Sequence, residues 1–254
     1  MAVHLEFGVP GARDARVRTT WMAGTQPVVG WAWVQHGFAR RGRHLEGLAG
    51  ALATAGISSV RPDIASLVPR HSMHDPAFLT ASALTIARAI ESGIPQSRGV
   101  DLGPSWVGVG HSAGAAVVTH VAGVLAARPD GPGSPRGLVL LDPVDTVGGL
   151  LRAALPGLPD DLPIIALALP PSRCNRGGET VAWLGRTGRV EIVALSDLSH
   201  ADPERIPASL LPADVVPAGR SARWACGPAG SADRVAALGE VAVAQVRRLL
   251  ADDG

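Results

Sequence analysis

The residues Gly110-His111-Ser112-Ala113-Gly114 set a serine between two glycines, after the apolar run that starts at Trp106 and before Ala-Ala-Val-Val. In a strand-turn-helix context this G-x-S-x-G pattern describes a nucleophile elbow. The serine sits on a strained bend, and larger side chains two residues away on either side would clash. The bend also leaves the serine at a helix N-terminus, where free N–H groups favour nearby negative charge. A glycine-rich turn that only packs a helix on a strand is the plain alternative.

A serine hydroxyl is a poor nucleophile at neutral pH. It needs a base, and the base needs an orienting acid. Downstream of His120 the chain has a single histidine, His200, in Leu-Ser-Asp-Leu-Ser-His-Ala-Asp-Pro, so His200 is the candidate base. Leu140-Leu141-Asp142-Pro143-Val144-Asp145 supplies two carboxylates at the end of an apolar run. Asp142 lies directly at that end and Pro143 stiffens it, so Asp142 is preferred as the acid. Asp145 is the alternative, and it also reads as a cap or loop former. The end of the next run, Leu169-Pro170-Pro171-Ser172-Arg173, has no carboxylate unless Glu179 reaches in. Acyl transfer further requires donors for a developing oxyanion. The N–H of Ala113, just after the serine, is one. Phe38 N–H, in Gln35-His36-Gly37-Phe38-Ala39, is expected to be the second.

These groups need a scaffold. Apolar runs at 27–35, 57–61, 106–110, 137–141, 163–169 and 190–195 read as strands. Between them 43–55, 75–92 and 112–127 have helical spacing, and 231–250 closes the chain as a helix. Asp75 and Pro76 form an N-cap and first turn. Strands alternating with helices predict an α/β fold, with a mostly parallel central sheet covered by helices on both faces. Residues 1–254 read as a single domain, with 201–230 an irregular stretch near the active-site end.

The 254 residues are 46% hydrophobic and 18% charged, with a formal net charge of +1. That balance describes a folded chain and gives no footprint for nucleic acid. The cations are all arginine; with the many Ala, Gly and Pro residues this suggests GC-rich bacterial coding. The N-terminus lacks the form of a signal peptide and no apolar run is long enough to span a bilayer, so a cytoplasmic location is expected, or a secreted one if a leader has been removed. Cys174 and Cys226 fit either free thiols or one bridge. His71-x-x-His74 has no third or fourth ligand nearby and reads as a polar loop rather than a metal pair. His111 is expected to pack beneath the nucleophile, and His44 and His120 to be structural. Arg40, Arg41 and Arg43 read as a solvated face, or as a contact for an anionic substrate. Phe38, Val144, Leu150 and Leu151 flank the site in sequence and suggest an apolar pocket.

Together, from about Val28 onward, these residues resemble the α/β-hydrolase superfamily. Gly-His-Ser-Ala-Gly at 110–114 and Leu-Asp-Pro-Val-Asp at 141–145 resemble the chlorophyllase and dienelactone-hydrolase-like esterases, and His-Gly-Phe at 36–38 and His-Ala-Asp at 200–202 agree. The order Ser112, Asp142, His200 is the superfamily's chain order. The resemblance implies an α/β-hydrolase fold and hydrolysis of a small-molecule ester through a Ser-His-Asp triad, with no metal or organic cofactor. It names no particular substrate. A dienelactone hydrolase would be expected to carry cysteine as nucleophile, so Ser112 points to ordinary esters. Interception of the acyl-enzyme by a hydroxyl or amine, and a catalytically silent scaffold, are the competing readings.

Overall fold

The apolar runs form the middle of one sheet. In the computed structural model, residues 2–12, 14–68, 70–128, 132–146, 148–206 and 226–251 are described. Among them, in chain order, are strands β1 (Ala2–Gly8), β2 (Arg16–Met22), β3 (Gly30–Gln35), β4 (Ile57–Asp63), β5 (Trp106–His111), β6 (Leu138–Leu141), β7 (Ile164–Ala168) and β8 (Glu191–Ala194). They pair in the order β1-β2-β4-β3-β5-β6-β7-β8, parallel from β4 to β8 and antiparallel at β1–β2 and β2–β4. Every residue of β3, β5, β6 and β7 is buried, as a parallel sheet covered on both faces requires.

The strands feed two cores. In β3, Trp31 and Trp33 point to one face and Ala32 and Val34 to the other. On the first face lie α2 (Pro76–Glu91) and α4 (Gly114–Ala126), with the short α3 (Ile94–Ser97) between them in sequence, through Leu79, Ile86, Val117 and Val121. On the second lie α1 (Glu46–Thr54) and the C-terminal helix Ala232–Ala251, through Leu48, Leu52, Leu238 and Val246. Asp75 caps α2 as expected, its carboxylate accepting from Phe78 N–H at 3.1 Å.

The largest difference from the sequence reading is the β1–β2 hairpin, since the expected sheet began at Pro27. Val3, Leu5 and Phe7 pack against the core while the residues between them are exposed. That period-two alternation marks an edge strand buried on one side. Leu150 and Leu151 also depart from expectation. They belong to the first core, in a short helix at Leu150–Ala154, rather than to a pocket wall. Of the irregular 201–230 stretch, 207–225 lies outside the described residues, and Asp202–Arg205 forms a 3-10 turn.

Candidate active site

The strand order reverses direction around β3 and β5, whose carboxyl ends Gln35 and Gly110 are neighbours. Ligands of open α/β sheets bind at such a switch point. Ser112 follows β5 with φ +55°, in the left-handed region, and its helix starts two residues later. The flanking glycines are set by close approach. A Cβ at Gly110 would lie 2.5 Å from the Gly114 carbonyl oxygen, and one at Gly114 would collide with the Gln35 and His36 carbonyls. This is the steric demand the elbow pattern implies.

The structure brings Ser112, His200 and Asp142 together. Ser112 Oγ is 2.9 Å from His200 Nε2, and His200 Nδ1 is 2.6 Å from Asp142 Oδ2. A carboxylate can only accept, so Nδ1–H donates and Nε2 is left to accept from the serine hydroxyl. Asp142 is fully buried and, like Ser112, has a positive φ, +42°. Its backbone N–H extends the β6–β7 ladder to Leu167 O at 2.8 Å. Asp145 points elsewhere. Its carboxylate accepts from Leu151 N–H at 2.8 Å and Arg152 N–H at 3.4 Å, capping the Leu150–Ala154 helix. Glu179 does not reach in; it is exposed and pairs with Arg152 at 3.0 Å.

Burial lowers the His200 pKa below the ordinary histidine range and outweighs the Asp142 hydrogen bond, which acts the other way; the nearby His111 adds to the lowering. The His200 loop is organised by Asp202, itself fully buried. Asp202 accepts from Ser199 N–H at 2.6 Å, Gly230 N–H at 2.9 Å and Arg205 Nη1 at 2.6 Å.

The His36-Gly37 turn stands beside the serine. A Cβ on Gly37 would come within 2.8 Å of Ser112 Cβ. His36 is buried, with Nδ1–H donating to Gly37 O at 2.9 Å and Nε2 accepting from Ile64 N–H at 3.1 Å, so its role is to shape the turn. Among the described residues neither Phe38 N–H nor Ala113 N–H has a hydrogen-bond acceptor. The Phe38 side chain is 49% exposed. Beside this turn a groove of about 890 Å³ is lined by Arg40, Arg41, Arg43, His44, Ser66 and Phe78 among others, so the ground next to the site is polar as well as apolar.

Two further sets of contacts join the segments around the site. Arg40 Nε donates to Glu204 Oε2 at 2.7 Å, and Glu204 Oε1 lies 3.4 Å from His111 Nδ1. His111 Nε2–H donates to the His200 carbonyl at 2.8 Å. Burial by itself would raise the Glu204 carboxyl, but His111 and Arg40 outweigh it and hold its pKa at about 2. The cluster ties the turn after β3, the elbow and the His200 loop together. Second, Cys174 and Cys226 are bridged, resolving the open choice between thiols and disulfide. Next to Cys174, Asn175 Nδ2 donates to Asp142 at 3.0 and 3.3 Å. The only sequence signal for Asn175 was its place after β7, in the loop that lacked a carboxylate.

No protein-family model matches the chain, and no curated protein matches it. Solved structures do. A dienelactone hydrolase from Anabaena variabilis is similar over 98% of this chain and 97% of its own, with TM-score 0.61 and 13% identity. The esterase domain of a Rhodothermus marinus protein is similar over 98% and 99%, with TM-score 0.59 and 16% identity. A thermostable esterase from Pseudomonas putida is similar over 98% and 83%, with TM-score 0.62 and 14% identity. At such identities the likeness speaks for the backbone. With the eight-stranded order and the helices on both faces, it shows that this chain has the α/β-hydrolase fold.

Proposed function

We propose that the protein is a serine hydrolase of small to medium carboxylic esters. Ser112 attacks the ester carbonyl while His200 Nε2 takes its proton. Asp142 keeps the ring in the required tautomer and stabilises the imidazolium that forms. The N–H groups of Ala113 and Phe38 receive the oxyanion; a donor of this kind contributes about 2.7–4 kcal/mol to transition-state stabilisation. Collapse of the tetrahedral intermediate breaks the ester C–O bond, and His200 returns the proton to the departing alcohol. Water activated by His200 then hydrolyses the acyl-enzyme, releasing the acid and restoring Ser112.

The observation that carries this reading is the unbroken hydrogen-bond chain from Ser112 Oγ through His200 to Asp142, at 2.9 and 2.6 Å. The esterases and the dienelactone hydrolase among the structures it resembles are consistent with it. Among the described residues no helix is long and apolar enough to cross a membrane. The Cys174–Cys226 bridge weighs toward an oxidising compartment, against the cytoplasmic expectation.

The test is labelling by a fluorophosphonate probe, with nitrophenyl esters of increasing acyl length as substrates. Wild type is expected to be labelled at Ser112 and to turn over the esters, and Ser112→Ala to do neither. Equal hydrolysis by the two proteins would end the assignment, and an unlabelled wild type would favour the silent scaffold. Product analysis with and without added alcohol separates hydrolysis from acyl transfer.

A further inference from the structure

Asn175 occupies the loop after β7 and its side chain is fully buried against Asp142. Every hydrogen-bonding group of its amide is used. Nδ2 donates to Asp142 Oδ2 at 3.0 Å, Asp142 Oδ1 at 3.3 Å and Pro170 O at 3.0 Å. Oδ1 accepts from Ser172 N–H at 2.7 Å and Gly178 N–H at 3.2 Å. A flipped amide would set oxygen against the carboxylate and NH₂ against two N–H groups, so the orientation is fixed. Apart from His200, the described partners of the Asp142 carboxylate are Asn175 and Leu169 N–H, the latter at 3.3 Å. A carboxylate with no solvent access needs such donors to remain charged and in place.

We propose that Asn175 is a positioning residue for the hydrolysis: it aims the Asp142 carboxylate at His200, and the adjoining Cys174–Cys226 bridge holds its loop in place. The proposal rests on the reading of Asp142 as the triad acid. The amide divides its work between two faces. The Oδ1 face folds the 172–178 turn and the Nδ2 face grips the acid. Asn175→Asp keeps an acceptor for the turn and replaces the donor facing Asp142 with a second carboxylate oxygen, so it separates a positioning role from a merely structural one.

The experiment measures kcat, KM and the pH profile of kcat/KM on a nitrophenyl ester for wild type, Asn175→Asp and Asp142→Asn. For Asn175→Asp, kcat is expected to fall about 10- to 100-fold, the rate equivalent of losing a hydrogen bond to a charged group. KM should change by less than about threefold, because no substrate contact is lost. The acid limb should be displaced, because a second carboxyl against Asp142 either adds negative charge or shares a proton with it, and each changes the field that Asp142 exerts on His200. Wild-type kinetics in Asn175→Asp, or a loss of kcat with an unmoved acid limb, overturns the proposal. Full activity in Asp142→Asn overturns the triad reading beneath it, whereas a dead Asp142→Asn beside a normal Asn175→Asp removes only the role given to Asn175. If circular dichroism shows Asn175→Asp unfolded, Asn175→Ser is judged by loss of kcat at constant KM with a displaced acid limb. Reduction of the disulfide is expected to lower kcat in wild type and to have little further effect in the Asn175 variant; equal losses in both would place the bridge outside this chain of contacts.

Discussion

In the proposed mechanism His200 must be neutral to accept the Ser112 proton, so activity is expected to rise as the ring deprotonates. Burial lowers its pKa, and the Asp142 hydrogen bond only partly restores it. Half-maximal kcat/KM is therefore expected on the acid side of the range in which a free imidazole titrates, with a plateau through neutrality. An acid limb centred above about pH 7 would contradict the burial argument. The two nearby carboxylates divide in the same assay. Asp142→Asn is expected to lower kcat by about 10⁴-fold, the scale seen when a triad histidine loses its orienting carboxylate. Asp145→Asn loses a helix cap instead, costing about 1 kcal/mol of stability with activity kept within roughly tenfold. The reverse ranking would transfer the acid's role to Asp145. Which of them meets His200 was not decidable from residue type, since both follow β6 within four positions; the backbone turn at Asp142, φ +42°, aims one inward while Asp145 turns back to its own helix.

At the scale of elements, two glycines of α4 should respond in opposite directions. Gly114 packs at the elbow with backbone carbonyls of Gln35 and His36 where a Cβ would go, and backbone cannot move aside as a flexible side chain can. Gly114→Ala is expected to destabilise by about 1–3 kcal/mol and to reduce activity by shifting Ser112. Gly123 lies in the same helix with nothing closer than 3.8 Å to an added Cβ, so Gly123→Ala should stabilise by about 0.5–1 kcal/mol. Thermal unfolding of both variants checks the pair, and a stabilised Gly114→Ala would mean that the elbow has room the geometry denies. Gly114 falls in the G-x-S-x-G pattern, so its need for close approach was legible in the sequence, whereas Gly123 lies in an apolar helical stretch with no such signal. The Gln35 and His36 carbonyls at the end of β3 stand against Gly114, whereas Gly123 faces only Leu158 and the Gly157 carbonyl at van der Waals distance.

Across the whole molecule, the bridge joins two segments 52 residues apart in sequence, after β7 and before the C-terminal helix. Closing a loop of that size stabilises the folded state by about 4 kcal/mol through the entropy of the unfolded chain. Reduction is then expected to lower Tm by on the order of 10 °C. Calorimetry with and without reductant, alongside a thiol count, tests this; an unchanged Tm with both thiols free would show that the loops hold without the covalent link. The same segments border the candidate site, since Cys174 precedes Asn175, and Gly227, after Cys226, lies near Ser199.

The amino-acid sequence alone determined the parallel core of the sheet and the elbow, because both are local signals. Continuous apolar runs between helical periods demand buried parallel strands, and small residues around Ser112 demand a tight bend. It also left His200 as the one candidate base, since a single histidine remained downstream of His120. The edge hairpin was legible in the alternation of Val3, Leu5 and Phe7 but lies before the first continuous apolar run. Tertiary structure decided the rest: that Asp142 rather than Asp145 faces the ring, that Asn175 stands behind Asp142, that Arg40, Glu204 and His111 clamp three loops, and that the two cysteines meet. Each is a contact between residues far apart along the chain or a choice between similar neighbours. Such contacts are set by how the loops converge at the strand ends, which no pattern within a few residues encodes.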